Sequence, residues 1–322
     1  MPSPAKPDDR TTDGVQSPVR SFVTGGSGFV GTRLNAYLSR LGHEVVSPGP
    51  EIDITSPEQI AAAINDVHPH LVFHLAGQAN VGSSWTEARL TYQVNFDGTR
   101  HVLDAARQVD PMPRVLVVSS ADVYGPAAFN LHGGGVDEDS AARPVSPYGA
   151  SKLAAEVVAR QAFDGFGLPV VISRAFPHIG PGQSDGFVVG AIARQIAEAE
   201  RDGGEEIALG NLEAERDFLD VDDVVRAYHL AVLFGRSGAT YNVASGTATP
   251  IRDVIDHMVS LSTRSLRIVV DPARLRPIDV PRMIGDSSRL TADTGWKPES
   301  NWRVAAAAAL GSWRTKVLTD SA

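Results

Sequence analysis

Tyr148 and Lys152 stand four residues apart, which on a helix puts a phenol and an ammonium on one face, one turn from each other. Such a pair can move a proton. Near the start of the chain, the apolar run Phe22-Val23-Thr24 leads directly into Gly25-Gly26-Ser27-Gly28-Phe29-Val30-Gly31. That stretch reads as strand, tight glycine turn and helix. A turn of this kind brings backbone N–H groups close to a pyrophosphate and aims a helix N-terminus at it. A dinucleotide held by the glycine turn and a proton-transfer pair point together to redox chemistry on a carbonyl or alcohol. Neither element decides this alone, because glycine also serves plain turns and residues one turn apart share a face by chance.

These residues need a frame that brings them together. From Ser21 to about Ser173 strand and helix patterns alternate. The short apolar stretches Ser21–Thr24, Glu44–Ser47, Leu71–His74, Arg114–Ser119 and Pro169–Ser173 predict strands buried on both faces. One helix is predicted to begin at Ser56-Pro57-Glu58-Gln59, with Ser as cap and Gln three residues later; another begins at Ser146-Pro147. The alternation predicts a doubly wound parallel sheet of the Rossmann type over 19–175, rejoined by 216–248 through a strand at Ala239–Val243. Residues 176–215 and 249–322 are expected to form a smaller C-terminal α/β substrate-binding domain, and 1–18 a disordered tail.

The 322 residues can bury a sizeable core, and the formal net charge of −9 excludes a general nucleic-acid binder, which needs a basic face. There are no cysteines, so disulfides, thiolate catalysis and Cys-type zinc sites are excluded. None of the nine histidines has metal-site spacing. No apolar run approaches a membrane span and the start lacks a signal-peptide core, so a cytoplasmic protein with no membrane partner is expected.

Taken together, the motifs resemble the extended short-chain dehydrogenases/reductases that act on nucleotide sugars. The resemblance runs from about Ser21 to Trp313. It is carried by Thr24-Gly-Gly-Ser-Gly-Phe-Val-Gly31, His74-Leu-Ala-Gly77, Val94-Asn95, Ser119-Ser-Ala-Asp-Val-Tyr-Gly125 and Ser146-Pro-Tyr-Gly-Ala-Ser-Lys152. In the second half, Phe176-Pro-His-Ile-Gly-Pro-Gly-Gln183, Gly210–Phe218 and Leu275-Arg-Pro-Ile-Asp-Val-Pro281 look like the GDP-mannose branch, which holds both 4,6-dehydratases and 4-keto reductases.

The resemblance implies a set of roles. Tyr148 is the general acid, Lys152 lowers the tyrosine pKa and holds the nicotinamide ribose, and Ser120 hydrogen-bonds the substrate oxygen. Gly25, Gly28, Phe29, Val30, Gly31, Asp53, Ile54, Leu75, Ala76 and Gly77 join Tyr148 and Lys152 around NAD(P), with Asp53 at the adenine edge. Asn95 fixes the sheet. Asp122, His178, Arg216 and Arg276 face the substrate, the arginines offering planar forks to a diphosphate. An acidic residue about 20 positions after the first glycine would hold the ribose 2′-OH of NAD. Val45-Val46-Ser47-Pro48 has no carboxylate, and Arg33 and Arg40 are candidates to approach a 2′-phosphate, so NADPH is expected over NADH. The implied partners are a GDP-sugar, with guanine preferred over uracil or thymine, and a second copy of the chain. The dimer would form through Ser146–Phe163 and one long helix over roughly Trp85–Val109.

The expected reaction is NAD(P)H-dependent reduction of the 4-keto group of a GDP-4-keto-6-deoxyhexose. The alternatives are a nucleotide-sugar 4-epimerase, a GDP-mannose 4,6-dehydratase and, remotely, a cofactor-sensing protein without catalysis. Two departures bear on the choice. Family members usually carry Asn where this chain has Pro177, and Pro cannot make the side-chain hydrogen bonds of Asn. Family dehydratases place Asp or Ser and then Glu after the Ser or Thr of the Ser120 motif, where this chain has Ala121 and Asp122.

Overall fold

Adjacent strand residues point to opposite faces of a sheet, and here both directions are apolar: Phe22, Val72 and Val117 enter one buried layer, Val23, Phe73 and Leu116 the other. Such strands need cover on both faces. In the computed structural model, which describes residues 18–126, 134–274 and 280–319, they obtain it. Strands β1 (Arg20–Thr24), β2 (Glu44–Val46), β3 (Leu71–His74), β4 (Arg114–Ser120), β5 (Val170–Ala175) and β10 (Thr240–Val243) form a six-stranded sheet in the order β10-β5-β4-β3-β1-β2. All its pairings are parallel. The chain leaves β1 towards β2 and then returns to place β3 on the other side of β1. That reversal opens a crevice at the C-terminal ends of β1 and β3.

Helices α1 (Phe29–Arg40) and α8 (Val221–Phe234) cover one face; α2 (Pro57–Val67), α5 (Gly98–Ala106) and α6 (Pro147–Phe166) cover the other. A separate apolar cluster joins α7 (Val188–Asp202), α9 (Ile251–Ser260) and α11 (Trp302–Thr319) around β7 (Glu206–Leu209), which pairs with β12 (Arg267–Val270). Short strands connect the two regions. β6 (His178–Ile179) pairs with β9 (Leu219–Asp220), and β8 (Glu215–Arg216) lies between β11 (Thr249–Pro250) and β13 (Arg282–Met283). No helix among the described residues is long and apolar enough to cross a membrane.

The predicted strands appear in place, with the ladder of β2 ending at Val46 because the Ser47 hydroxyl turns to donate to Val23 O at 3.1 Å. Two local expectations need correction. The Ser56 side chain does not cap α2; its hydroxyl donates to Glu58, while Gln59 reaches past it to accept from Asp53 N at 2.9 Å. The long helix expected over roughly Trp85–Val109 runs without a gap from Ala88 to Ala106, shorter at both ends and with a π-helical turn inside it. Trp85 follows the single turn α3 (Val81–Ser84), then come α4 (Ala88–Tyr92), a π-helical turn over Gln93–Asp97, and α5. The wider turn lets the Asn95 side chain leave the helix for partners elsewhere, a common use of π-bulges.

Trp296 is fully buried against α8, and its indole Nε1 donates to Asp223 O at 3.0 Å. Trp296→Ala is expected to cost about 3–5 kcal/mol of stability, the usual range for emptying such a site. Urea unfolding with an unchanged m-value measures it, and a loss below about 1 kcal/mol would contradict the packing described.

Candidate active site

The crevice beside β1 and β3 contains a cavity of about 490 Å³, bounded by Thr24, Gly25, Asp53, Ile54, Ala76 and Gly77 among others. Its floor is the glycine turn. Gly25 has φ +71°, and a Cβ there would sit 2.7 Å from Ala76 N; one at Gly31 would sit 2.2 Å from Gly25 O. Gly28 opens α1 in an extended conformation, with no capping side chain and no carboxylate in the first turn. The helix N-terminus therefore meets the turn without a competing anion, and these residues fit a dinucleotide. Asp53 lies at the cavity rim with Oδ1 accepting from Thr55 N and Thr55 Oγ1 at 2.8 and 2.9 Å. Ile54 packs over Gly98, where a Cβ would come within 2.6 Å of its Cδ1.

A chain of buried polar groups holds the two cavity loops. Thr24 Oγ1 meets His74 Nδ1 at 2.8 Å and accepts from Ala76 N at 3.2 Å. His74 Nε2 meets Thr99 Oγ1, which donates to Asn95 O at 2.6 Å. Asn95 in turn brackets Gln78 through both its backbone groups and donates to Ser151 Oγ at 2.9 Å. Asn95 thus fixes the loop after β3 and ties it to α6. Burial, with the nearby Lys152 ammonium, pushes His74 down to about 3, so it stays neutral.

Helix α6 is started by Ser146, whose hydroxyl accepts from Gly149 N at 3.0 Å, with Pro147 in the first turn as predicted. Tyr148 and Lys152 consequently lie in its first turns, both buried. The 3₁₀ turn Ala121–Val123 after β4 packs directly beneath; a Cβ on Gly149 would lie 2.7 Å from Asp122 O. Ser120 Oγ donates to Asp122 Oδ2 at 3.1 Å and accepts from Asp122 N at 3.2 Å. Burial first, and then the Asp122 charge, raise the Tyr148 phenol above its ordinary value, while a hydrogen bond with Ser120 pulls the other way. The causes of this shift lie in burial, Asp122 and Ser120, with no contribution from Lys152 among them. The Lys152 amine donates to Val118 O at 2.9 Å, and burial brings it down to about 8 against an opposing pull from Glu156. It stays beside the cavity loop, since a Cβ on Gly77 would lie 3.3 Å from Nζ.

Ser120, Tyr148, Lys152 and Asp122 therefore converge. The other expected contacts are more dispersed. His178 stacks on Phe29 with ring centroids 5.9 Å apart and bonds Phe176 O through Nδ1, so it joins the cofactor turn to the β6 loop. Val30 packs against the sheet layer of Val23 and Leu34, as does Leu75. Arg216 lies on β8, with Nη1 donating to Glu215 O. Arg276 lies outside the described residues. Pro177 offers its carbonyl to Leu219 N at 2.9 Å. Arg33 donates to Pro181 O at 3.4 Å and Arg40 lies over the Tyr37 ring at 6.0 Å. Pro48 and Val94, which belong to segments singled out in the sequence, also line the cavity, as do Gly49, Gln78 and Leu90, which were not identified there. Of these three only Gln78 had a signal, its position beside Gly77.

The family described as GDP-mannose 4,6 dehydratase matches residues 50–306. The GDP-6-deoxy-D-mannose reductase of Pseudomonas aeruginosa is 38% identical over 307 residues, covering 92% of this chain and 98% of the relative. The structure of RMD from Pseudomonas aeruginosa complexed with NADPH superposes with a TM-score of 0.82 at 37% identity, covering 93% of this chain and 98% of that one. A Thermus thermophilus UDP-glucose 4-epimerase complexed with NAD gives 0.82 at 26% identity, with 92% and 99% covered.

The chain has four lysines, Lys6, Lys152, Lys297 and Lys316. Lysine-selective NMR on the cofactor-free protein should show one amine titrating near pH 8, and Lys152→Met should remove that signal. No lysine midpoint below about 9.5 would refute the burial described for Lys152.

Proposed function

The chain belongs to the GDP-mannose 4,6 dehydratase family, within the nucleotide-sugar extended short-chain dehydrogenases/reductases, and we propose that it acts there as a reductase. Its reaction is reduction of the 4-keto group of a GDP-4-keto-6-deoxyhexose, with NADPH favoured as cofactor. The observation that carries this is the turn after β4. A dehydratase must take a proton from C5 and give one to the departing C6 hydroxyl. Ala121 is buried and has no proton to give, and Asp122 is one methylene shorter than Glu and already engaged with Ser120. Misplacing a base by about an ångström costs on the order of a hundredfold, and losing a general acid roughly another hundredfold. Ketone reduction needs neither group. The reductase named among the relatives supports the same reading.

Bound NAD(P)H supplies the hydride. Tyr148, kept neutral by burial and by Asp122, is the proton donor to the substrate oxygen. Ser120 provides a second hydrogen bond to that oxygen. Lys152 supplies positive charge beside Gly77, and Gly25, Gly28, Phe29, Gly31, Asp53, Ile54 and Ala76 hold the dinucleotide. Arg216, Arg276 and His178 serve the GDP-sugar, which the segments 176–215 and 249–322 enclose. The chain works as a homodimer through α6 and the long helix before it, expected over roughly Trp85–Val109, where Tyr92 and Val157 are exposed apolar residues.

Three outcomes are expected. With GDP-4-keto-6-deoxy-mannose the protein oxidises NADPH stoichiometrically, whereas GDP-mannose with NADP⁺ yields no 4-keto product; rapid formation of that product would make it a dehydratase instead. Tyr148→Phe keeps the ring and removes the donor, so kcat should fall by about a hundredfold or more while NADPH affinity is retained; near-normal kcat would remove Tyr148 from its role. Light scattering at micromolar concentration should give twice the 34.1 kDa chain mass, and a monomer would contradict the pairing.

A further inference from the structure

One turn beyond Lys152, α6 carries Glu156, whose carboxylate has no exposed surface. Ser119, the residue before Ser120, donates to Glu156 Oε1 at 2.6 Å. Arg174 grips both carboxylate oxygens, Nε on Oε1 at 2.9 Å and Nη2 on Oε2 at 2.8 Å. Arg160, one turn further along α6, lies 3.5 Å from Oε2. Ser119 and Arg174 are register partners across β4 and β5. Arg174 is itself held, donating to Glu138 O at 3.1 Å with its guanidinium 4.7 Å above the Tyr124 ring. We propose that Glu156 is a positioning residue: it fastens α6, with Tyr148 and Lys152, to the ends of β4 and β5 beside Ser120, and holds a negative charge one turn from the Lys152 amine. The inference rests on the reading of Ser120, Tyr148 and Lys152 as the reacting groups.

Packing alone does not require this carboxylate. Buried ion pairs can be replaced by apolar residues of similar volume with little loss of stability, and the neighbouring inward positions of α6 are Ala155 and Ala159. What an apolar residue cannot reproduce is a bidentate link to one strand, a hydroxyl link to the next, and a charge. That charge acts on Lys152. The titratable groups that act on the amine or are acted on by it are Glu156 on its own helix, itself paired with Arg174 from β5 and Arg160, and His74 from β3; Asp122, on the turn after β4, acts on Tyr148. His74 and Tyr148 are neutral at pH 7, so Glu156 is the negative group opposing the burial of Lys152. Removing it lets burial lower the amine further, and Lys152 loses its proton at a lower pH.

The test compares Glu156→Gln with the unsubstituted full chain, after circular dichroism and thermal unfolding establish that the variant folds. The Lys152 midpoint, read by lysine-selective NMR without cofactor, should drop by about one pH unit. The alkaline limb of kcat/KM should move down with it, and kcat should fall about tenfold or more with KM little changed. An unmoved amine midpoint in folded Glu156→Gln overturns the proposal, as does a wild-type kcat. If Glu156→Gln does not fold, Glu156→Asp keeps the charge and shortens the reach. It should then lower kcat about tenfold while leaving the amine midpoint within a few tenths of a unit, and wild-type kcat there overturns the proposal equally. Absence of turnover in the unsubstituted chain would sink the reductase reading instead, while the amine midpoints still decide the electrostatic claim.

Discussion

The backbone of the glycine turn has to touch the backbone of the loop after β3, and the site is organised by that contact. A side chain at Gly25 would strike Ala76 at 2.7 Å, and one at Gly31 would strike Gly25 O at 2.2 Å. Bulk at either position would force strand ends, helix and loop apart. Because β1 and β3 lie side by side while the chain reverses direction between them, their loops depart on opposite sides and leave the crevice open. The cavity is therefore a consequence of sheet order, and the glycines decide that backbone, with its N–H groups, forms its floor.

Close approach does not by itself fix the relative position of the loops and α6. The buried chain from Thr24 through His74, Thr99 and Asn95 to Ser151 does. Each hydrogen bond in it contributes roughly 0.5–1.5 kcal/mol net, but leaving one of these buried groups unpaired costs about 1–3 kcal/mol. Such a chain adds little stability and penalises other arrangements strongly. It is also insensitive to pH near neutrality, because burial keeps the His74 imidazole uncharged. Glu156 performs the same service on the far side of α6, so the helix is held from the β3 loop through Ser151 and from β4 and β5 through Glu156.

What was legible in sequence was local. The glycine turn needs only its neighbours, the strands show their apolar runs, and Ser146-Pro147 starts α6 through a contact spanning three residues. What was illegible depends on partners distant in the chain. Nothing near Asn95 announces a π-helical turn, because its reason lies at Gln78 and Ser151. Arg33 has the type and spacing for a phosphate yet turns to Pro181, a residue of another loop. The cavity wall at Pro48, Gly49 and Leu90 exists only once α4 and the segment after β2 face each other. Resemblance supplied the names of the candidate residues but not what surrounds them, such as the Val118 carbonyl at the Lys152 amine.

The surroundings of the two side chains differ. The Lys152 amine donates to Val118 O, and Tyr148 is governed by burial and by Asp122, both of which favour the neutral phenol. A phenol so shifted holds its proton across the neutral range and beyond it. Asp122 contributes twice: its charge adds to burial in raising the Tyr148 phenol, and its Oδ2 accepts the Ser120 hydroxyl. A dehydratase would need that same position free to take a proton from carbon. The Asp122 carboxylate is instead tied to Ser120 within the Ser120-Ala121-Asp122 turn itself, and this is the local ground for preferring reduction to dehydration in this chain.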